Sequence, residues 1–150
     1  MLLLAGLLAT LGAGSTPALA GPAPVDAALA AACRESFARV KGALEGRSAA
    51  AVVACMEPEG TLSIALQGLP ASAGPMKREQ AARVLGSYFA LVSEPRLVER
   101  PGQAADSLVR SYDYTRRLRG GDPATTRLVV TLRRDAGGSL RLASLAEAAR

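Results

Sequence analysis

The sequence predicts an α+β fold: three helices laid across one face of a curved, mainly antiparallel sheet, in the order α-α-β-α-β-β-β-β. Three observations carry this. Between Thr126 and Leu145, Leu128, Val130 and Leu132 alternate with Arg127, Val129, Thr131 and Arg133, and Leu140 and Leu142 follow across an Asp135-Ala-Gly-Gly138 turn. Period-2 alternation either side of a Gly-rich turn is a hairpin signal. Three earlier segments carry apolar residues at helical spacing, and helices gathered before a run of strands indicate α+β architecture.

The first helix is predicted from Asp26, as its cap, to about Leu44. Leu29, Cys33, Phe37, Val40 and Leu44 form one face, at steps of three and four residues, and Gly46 fits a left-handed stop. Ser48 caps a short second helix bearing Val52, Val53 and Met56, which Pro58 and Gly60 end. Thr61 to Leu66 alternates as a strand, and Gly68 to Pro75 is a loop. Pro75 suits the first turn of a third helix from about Met76 to Val92, striped by Ala81, Val84, Leu85, Tyr88, Phe89 and Val92 and stopped at Glu94-Pro95. Arg96 to Arg100 reads as a short strand and Ser107 to Leu118 as a long one. Along the long strand Leu108, Arg110, Tyr112, Tyr114, Arg116 and Leu118 share a face, and Asp113 points away from both tyrosines. The tail from Ala146 reads as frayed.

Residues 1–20 carry no charge, hold an apolar run from Leu2 to Leu11, and end in Ala18-Leu19-Ala20. The run falls short of the roughly 20 apolar residues that a spanning helix needs. A short apolar run before a small-residue A-x-A site reads as a secretory signal peptide, although no Lys or Arg precedes it. The expected organisation is therefore a signal at 1–20, a Pro-rich linker at 21–28, a single domain at 29–146 and a tail at 147–150. The expected location is periplasmic or extracellular after cleavage near Ala20, with no transmembrane span in the mature chain.

Charge is unevenly placed. Residues 21–106 hold nine basic and nine acidic residues, while residues 107–150 hold nine basic and four acidic, so the whole formal charge of +5 falls on the closing strands. Arg127, Arg133 and Arg141 make a basic outer face. It serves as a solvated surface that discourages edge pairing, or as a site for an anionic lipid, a polysaccharide or an acidic protein. Cys33 and Cys55 are a disulfide candidate in an exported chain, closing a loop worth about 3 kcal/mol in chain entropy. Two buried thiols, or lipid attachment at Cys33, are the rival readings.

The chain has no His and no Trp. A Ser-His mechanism is thereby excluded, and a zinc site is not expected. No catalytic set and no cofactor is predicted, and no Gly-rich loop opens a helix to cradle phosphate. Nucleic acid is a poor candidate partner, because export and scarce aromatics argue against it. The residues with chemistry to offer are Tyr112, Tyr114, Arg110 and Arg116 on one strand face, with Tyr88 on the third helix. If that face lines a pocket, two hydroxyls and a guanidinium suit a small carboxylate or phosphate. Otherwise the tyrosines are core and the arginines snorkel at its rim.

The element order, with Ala43 to Arg47 ending the first helix, Thr61 to Gly68 as the first strand, Gln80 to Phe89 in the middle helix and Arg127 to Leu145 as the closing hairpin, resembles the nuclear transport factor 2-like superfamily, or cystatin-like cone. Within it, the chain is similar to a family of short exported bacterial domains of unknown function. The resemblance implies a sheet wrapped into a cone whose mouth can hold a small ligand, and it implies no catalytic residues. Isomerases and dehydratases of the superfamily use a pocket Tyr and Asp, or His and Asp, and no such pair can be placed here. The expected role is an exported non-enzymatic module binding a small anionic ligand or an envelope protein. The alternatives are an isomerase- or lyase-type pocket enzyme and a dimeric structural module.

Overall fold

The computed structural model describes residues 24–70 and 74–148. The signal peptide expected at 1–20 lies outside the described residues, as do Ala149 and Arg150. The elements are α1 (Ala27–Glu45), α2 (Ala49–Ala54), β1 (Leu62–Ala65), β2 (Pro75–Met76), α3 (Arg78–Leu91), β3 (Val92–Glu99), β4 (Val109–Leu118), β5 (Pro123–Arg134) and β6 (Leu140–Ala148). The six strands form one sheet in the order β2-β1-β6-β5-β4-β3. All neighbours are antiparallel except β1 and β6, which run parallel. No helix among the described residues is long and apolar enough to cross a membrane.

Local chemistry explains most boundaries. Asp26 caps α1, its Oδ1 accepting the Leu29 N–H at 3.0 Å, and Ser48 caps α2 through the Ala51 N–H at 3.1 Å. Between these helices Gly46 remains right-handed, contrary to expectation, and Arg47 takes the left-handed conformation at φ 51°. The Ser48 N–H then reaches back to Ala43 O at 3.0 Å, which closes a Schellman turn with Arg47 in the place usually held by glycine. Pro75 does not open the third helix. It pairs with Ser63 in β2, beside Met76 with Leu62, and α3 starts at Arg78. The helix ends at Leu91 and enters β3 directly. Glu94-Pro95 is a bulge inside that strand, with Glu94 at φ 53°.

Two bulges shape the sheet. Ser93 pairs with Arg117 and Arg96 with Thr115, so β3 carries one extra residue opposite Arg116. Thr131 pairs with Ser144 and Leu132 with Leu142, which leaves Ala143 as the extra residue of β6. Each bulge bends its strand and increases its twist. The β6 bulge also changes which residues face inward: Leu140 and Leu142 before it, Leu145 and Glu147 after it. The terminal segment expected to fray is strand as far as Ala148.

The core lies between the helices and the inner face of the sheet. Phe37, Val40 and Leu44 of α1, Leu85, Tyr88 and Phe89 of α3, and Leu128, Val130 and Leu145 of the sheet are all buried. A fully buried Leu or Val contributes about 1.5–3 kcal/mol by leaving water. The edge strand β3 is tied down by the end of α1. Glu45 Oε1 accepts the Leu97 N–H at 2.8 Å, and Arg47 Nη1 donates to Val92 O at 3.1 Å. Burial pushes the Glu45 carboxyl up, but the Leu97 N–H and the Lys41 ammonium outweigh it and hold the group below its ordinary value.

Candidate functional site

The inner face of β4 presents Arg110, Tyr112, Tyr114 and Arg116, all buried, as alternation predicts. These side chains do not converge on one pocket. Tyr114 and Arg116 join Tyr88 in a sealed polar cluster inside the sheet, while Arg110 and Tyr112 line an open cleft beneath α1.

The sealed cluster is centred on Glu147, which β6 turns inward. Arg116 Nη2 donates to Glu147 Oε2 at 2.7 Å, and Thr126 Oγ1 donates to the same oxygen at 3.2 Å. The Tyr88 hydroxyl lies 3.2 Å from Glu147 Oε1 and 3.1 Å from the Tyr114 hydroxyl. The exposed Gln67 covers the group, its Oε1 accepting from Arg116 Nη2 at 3.3 Å. The side chain of Arg116 is 1% exposed and that of Glu147 0%. Arg116 also stacks on the Tyr114 ring at 5.1 Å, and its Nε has no partner among the described residues. Burial pushes both tyrosine hydroxyls above their ordinary value, Tyr88 well above it. Burial likewise pushes the Glu147 carboxyl up, against the pull of the Arg116 guanidinium. Hydroxyls and a carboxyl in this arrangement can pass a proton among themselves, but no side-chain surface of Glu147 or Arg116 is open to a substrate.

Glu147, Thr126 and Gln67 were not among the residues singled out from sequence. The available signal was the step of three from Leu142 to Leu145, which breaks the alternation and marks a bulge. Carrying the shifted parity forward turns Glu147 inward.

The open cleft, of about 350 Å3, lies between α1 and the β3–β4 edge. Phe37 and Tyr112 form its floor, Arg110 its wall, and Arg34 and Lys41 of α1 its rim. The Arg110 guanidinium stacks on the Phe37 ring at 5.2 Å, donates to Ala105 O at 2.9 Å and pairs with Glu99. Its Nε has no partner among the described residues. The loop that supplies Ala105 O is held by Gln103, whose amide donates to Arg100 O at 2.7 Å and to Ser111 O at 3.0 Å and accepts the Ser111 N–H at 2.6 Å. Burial, and then the Glu99 carboxylate, push the Tyr112 hydroxyl up to about 12. It therefore stays protonated near neutrality and can donate a hydrogen bond. Arg34, Lys41 and Arg110 outnumber Glu99 in the lining, and with Lys41 paired to Glu45 at 2.8 Å the excess positive charge rests on Arg34. A second groove of about 430 Å3 runs between β1, β2 and α3, lined by Ile64, Met76 and Val84 with Arg83 at its side.

On the outer face Arg127 and Arg133 are exposed and Arg141 is half-buried, and each has a hydrogen-bond partner. Arg127 donates to Ser111 Oγ at 3.1 Å, Arg133 to Glu57 at 3.2 Å and Arg141 to Asp135 at 2.9 Å. Asp135 also accepts the N–H groups of Gly137 and Ser139, so Arg141 and these amides hold its carboxyl below the ordinary value.

The disulfide expected between Cys33 and Cys55 is not formed, and both thiols are free. The charges nearest Cys33 are Arg110 and Asp106, whereas those nearest Cys55 are Arg39 and Arg141. Cys55 packs beside Ser36, Arg39 and Val40, which places it further along α1 than Cys33. The Cys55 thiol donates instead to Ala51 O at 3.3 Å. Among the described residues no three His, Cys, Asp or Glu side chains gather as a metal site.

Neither a known family model nor a curated protein matches the sequence. Solved structures do. A ketosteroid isomerase-like protein from Erwinia carotovora atroseptica SCRI1043 is 20% identical with a TM-score of 0.57, over 83% of this chain and 99% of that one. The BvnE pinacolase from Penicillium brevicompactum is 18% identical with a TM-score of 0.61, over 79% and 86%. An NTF2-like protein of unknown function from Pseudomonas putida KT2440 is 16% identical with a TM-score of 0.56, over 85% and 90%. At these identities the likeness speaks to the fold, and it agrees with the helices, the curved sheet and the strand order described above: this chain has the fold of the nuclear transport factor 2-like superfamily.

Proposed function

We propose that the protein is an exported, non-enzymatic cone module that binds a small anionic ligand in the cleft beneath α1. One observation carries the reading. Arg110 is buried and rigidly held, yet it lines an open cleft beside a protonated tyrosine hydroxyl, with two further cations at the rim. At about 350 Å3 the cleft lies at the small end of the range for ligand sites, about 300–1,000 Å3. Export rests on the uncharged, apolar first twenty residues and their A-x-A site. Thermal unfolding in millimolar small carboxylates and phosphate tests the binding. A ligand that binds only the folded state raises the midpoint, and the rise should vanish in Tyr112→Phe combined with Arg34→Ala. Equal midpoints with and without every anion would remove the reading.

A second reading, a small-molecule isomerase or lyase, is favoured by the Tyr88 and Tyr114 hydroxyls grouped with Glu147, on a fold shared with the pinacolase and the ketosteroid isomerase-like protein. It ranks below the first because a substrate would have to displace Gln67 before reaching the carboxyl. Turnover abolished by Glu147→Gln but kept in Tyr112→Phe would reverse the ranking.

A further inference from the structure

We infer that Glu99 occupies the place of the ligand's own acid group: the cleft takes monocarboxylates with a flat apolar body, and their carboxylate displaces Glu99 from Arg110. The inference rests on the anion-binding reading and names the ligand class and the competitor within it.

The two partners of the Arg110–Glu99 pair are unlike in freedom. The Arg110 side chain is 10% exposed and that of Glu99 47%. Arg110 is fixed by the Ala105 carbonyl and by stacking on Phe37, and the loop carrying Ala105 is itself held by Gln103. Glu99 belongs to the edge strand β3, opposite Tyr112 in register, and among the described residues its carboxylate is held by the arginine alone. Breaking the pair therefore moves one half-exposed side chain into water and leaves the cation in place. Glu99 regains its hydration as it leaves while the incoming carboxylate pairs the desolvated cation, so the exchange is readily reversed.

The cleft also limits what can replace Glu99. Arg110 is matched to a single carboxylate, and a displaced Glu99 remains close by as a negative charge. A phosphate dianion would meet about twice the repulsion that a monocarboxylate meets. Tyr112 lines the same cleft, and in the proposed complex its hydroxyl donates to the second carboxylate oxygen. Beyond the acid group the surfaces are Phe37, Ala30 and Ala38, which suit a flat apolar body. Arg34 and Lys41 at the rim raise the local concentration of anions without choosing among them.

Calorimetric titration of the full chain with sodium benzoate, benzamide and sodium phosphate tests this. The proteins are the wild type, Glu99→Gln, Glu99→Ala and Tyr112→Phe, each checked for an unchanged fold by circular dichroism. Benzoate should bind the wild type better than phosphate and benzamide do. It should bind both Glu99 variants about two- to fivefold more tightly, the scale of removing one half-exposed competitor. Unchanged or weaker benzoate binding in both Glu99 variants, with binding still lost in Tyr112→Phe, would overturn the displacement and leave the anion cleft standing. Phosphate binding more tightly than benzoate would overturn the ligand class. No binding of benzoate or phosphate to any of the four proteins would overturn the inference and the anion-binding reading together.

Discussion

Glu147 Oε2 lies 2.7 Å from Arg116 Nη2 inside the sheet, with neither side chain effectively exposed. The pair exists because Ala143 bulges from β6, so that Leu145 and Glu147 face inward where an unbroken alternation would have turned them out. Arg116 lies opposite the other bulge, at Glu94-Pro95 of β3. Two local irregularities thus flank one buried ion pair.

Removing one partner should be costly. Two paired charges in a dry interior offset each other's desolvation, and one left alone does not. Glu147→Gln and Arg116→Met should each lower the unfolding free energy by about 3–5 kcal/mol. Replacing both, as Arg116→Met with Glu147→Leu, should cost clearly less than the two single changes together, because no charge is then stranded. Urea unfolding of the four proteins measures this. Additive single costs would mean that the residues are not coupled.

Deleting Ala143 should leave Glu147 where it is. Without the extra residue β6 returns to strict alternation, with Ser144 out and Leu145 and Glu147 still inward, and the pairing with β5 on either side is kept. Deleting Ala146 instead should be severe: Leu145 stays in the core, but Glu147 moves to the outer face and a buried guanidinium is left unpaired, at a cost of about 3–5 kcal/mol. Urea unfolding of the two deletion variants measures the difference. If both deletions cost the same, the facing of Glu147 is not what sets the stability of this strand.

This relationship also marks how far the sequence could be read. The alternation of Leu128, Val130 and Leu132, the helical stripe from Leu29 to Leu44 and the caps at Asp26 and Ser48 all act locally, and each appears where the residues place it. Pro75, Arg47 and Glu147 were not legible from local chemistry. Pro75 fits a helix start as well as an edge strand, and pairing with β1 decided between them. Arg47 was passed over for the neighbouring glycine, yet its side chain has a bond to make at Val92 that glycine lacks. Tyr112 and Tyr114 share a face, as alternation requires, but α1 covers one end of that face and Glu147 fills the other, so one expected pocket became a cleft and a sealed cluster.

The pH dependence of stability should carry the mark of Glu147. Its carboxyl is raised on folding, chiefly by burial, so the native state holds that proton more tightly than the unfolded chain does. The stability it contributes is complete below the ordinary value of 4.5 and is lost as pH rises through the raised native value. Glu45 and Asp135, both held below their ordinary values, act in the opposite direction. They are common to the wild type and Glu147→Gln and cancel in the difference. The advantage of wild type over Glu147→Gln should therefore shrink between pH 4 and pH 7 in urea melts. An advantage that grows with pH would mean that the Arg116 attraction outweighs burial.

Arg47 sets two effects against each other at the turn between α1 and α2. Its left-handed φ of 51° costs an ordinary residue about 1–2 kcal/mol, which glycine avoids. Its Nη1 bond to Val92 O, at 3.1 Å, ties the turn to the first residue of β3 and is worth about 1 kcal/mol. Arg47→Ala keeps the strain and loses the bond, so it should destabilise by about 1 kcal/mol. Arg47→Gly loses the same bond but relieves the strain, and it should lie within about 0.5 kcal/mol of wild type. Hydrogen exchange separates the two effects: amides at the start of β3 should exchange faster in both variants, although only the alanine variant melts earlier. Unchanged exchange there would show that the bond does not hold the edge strand.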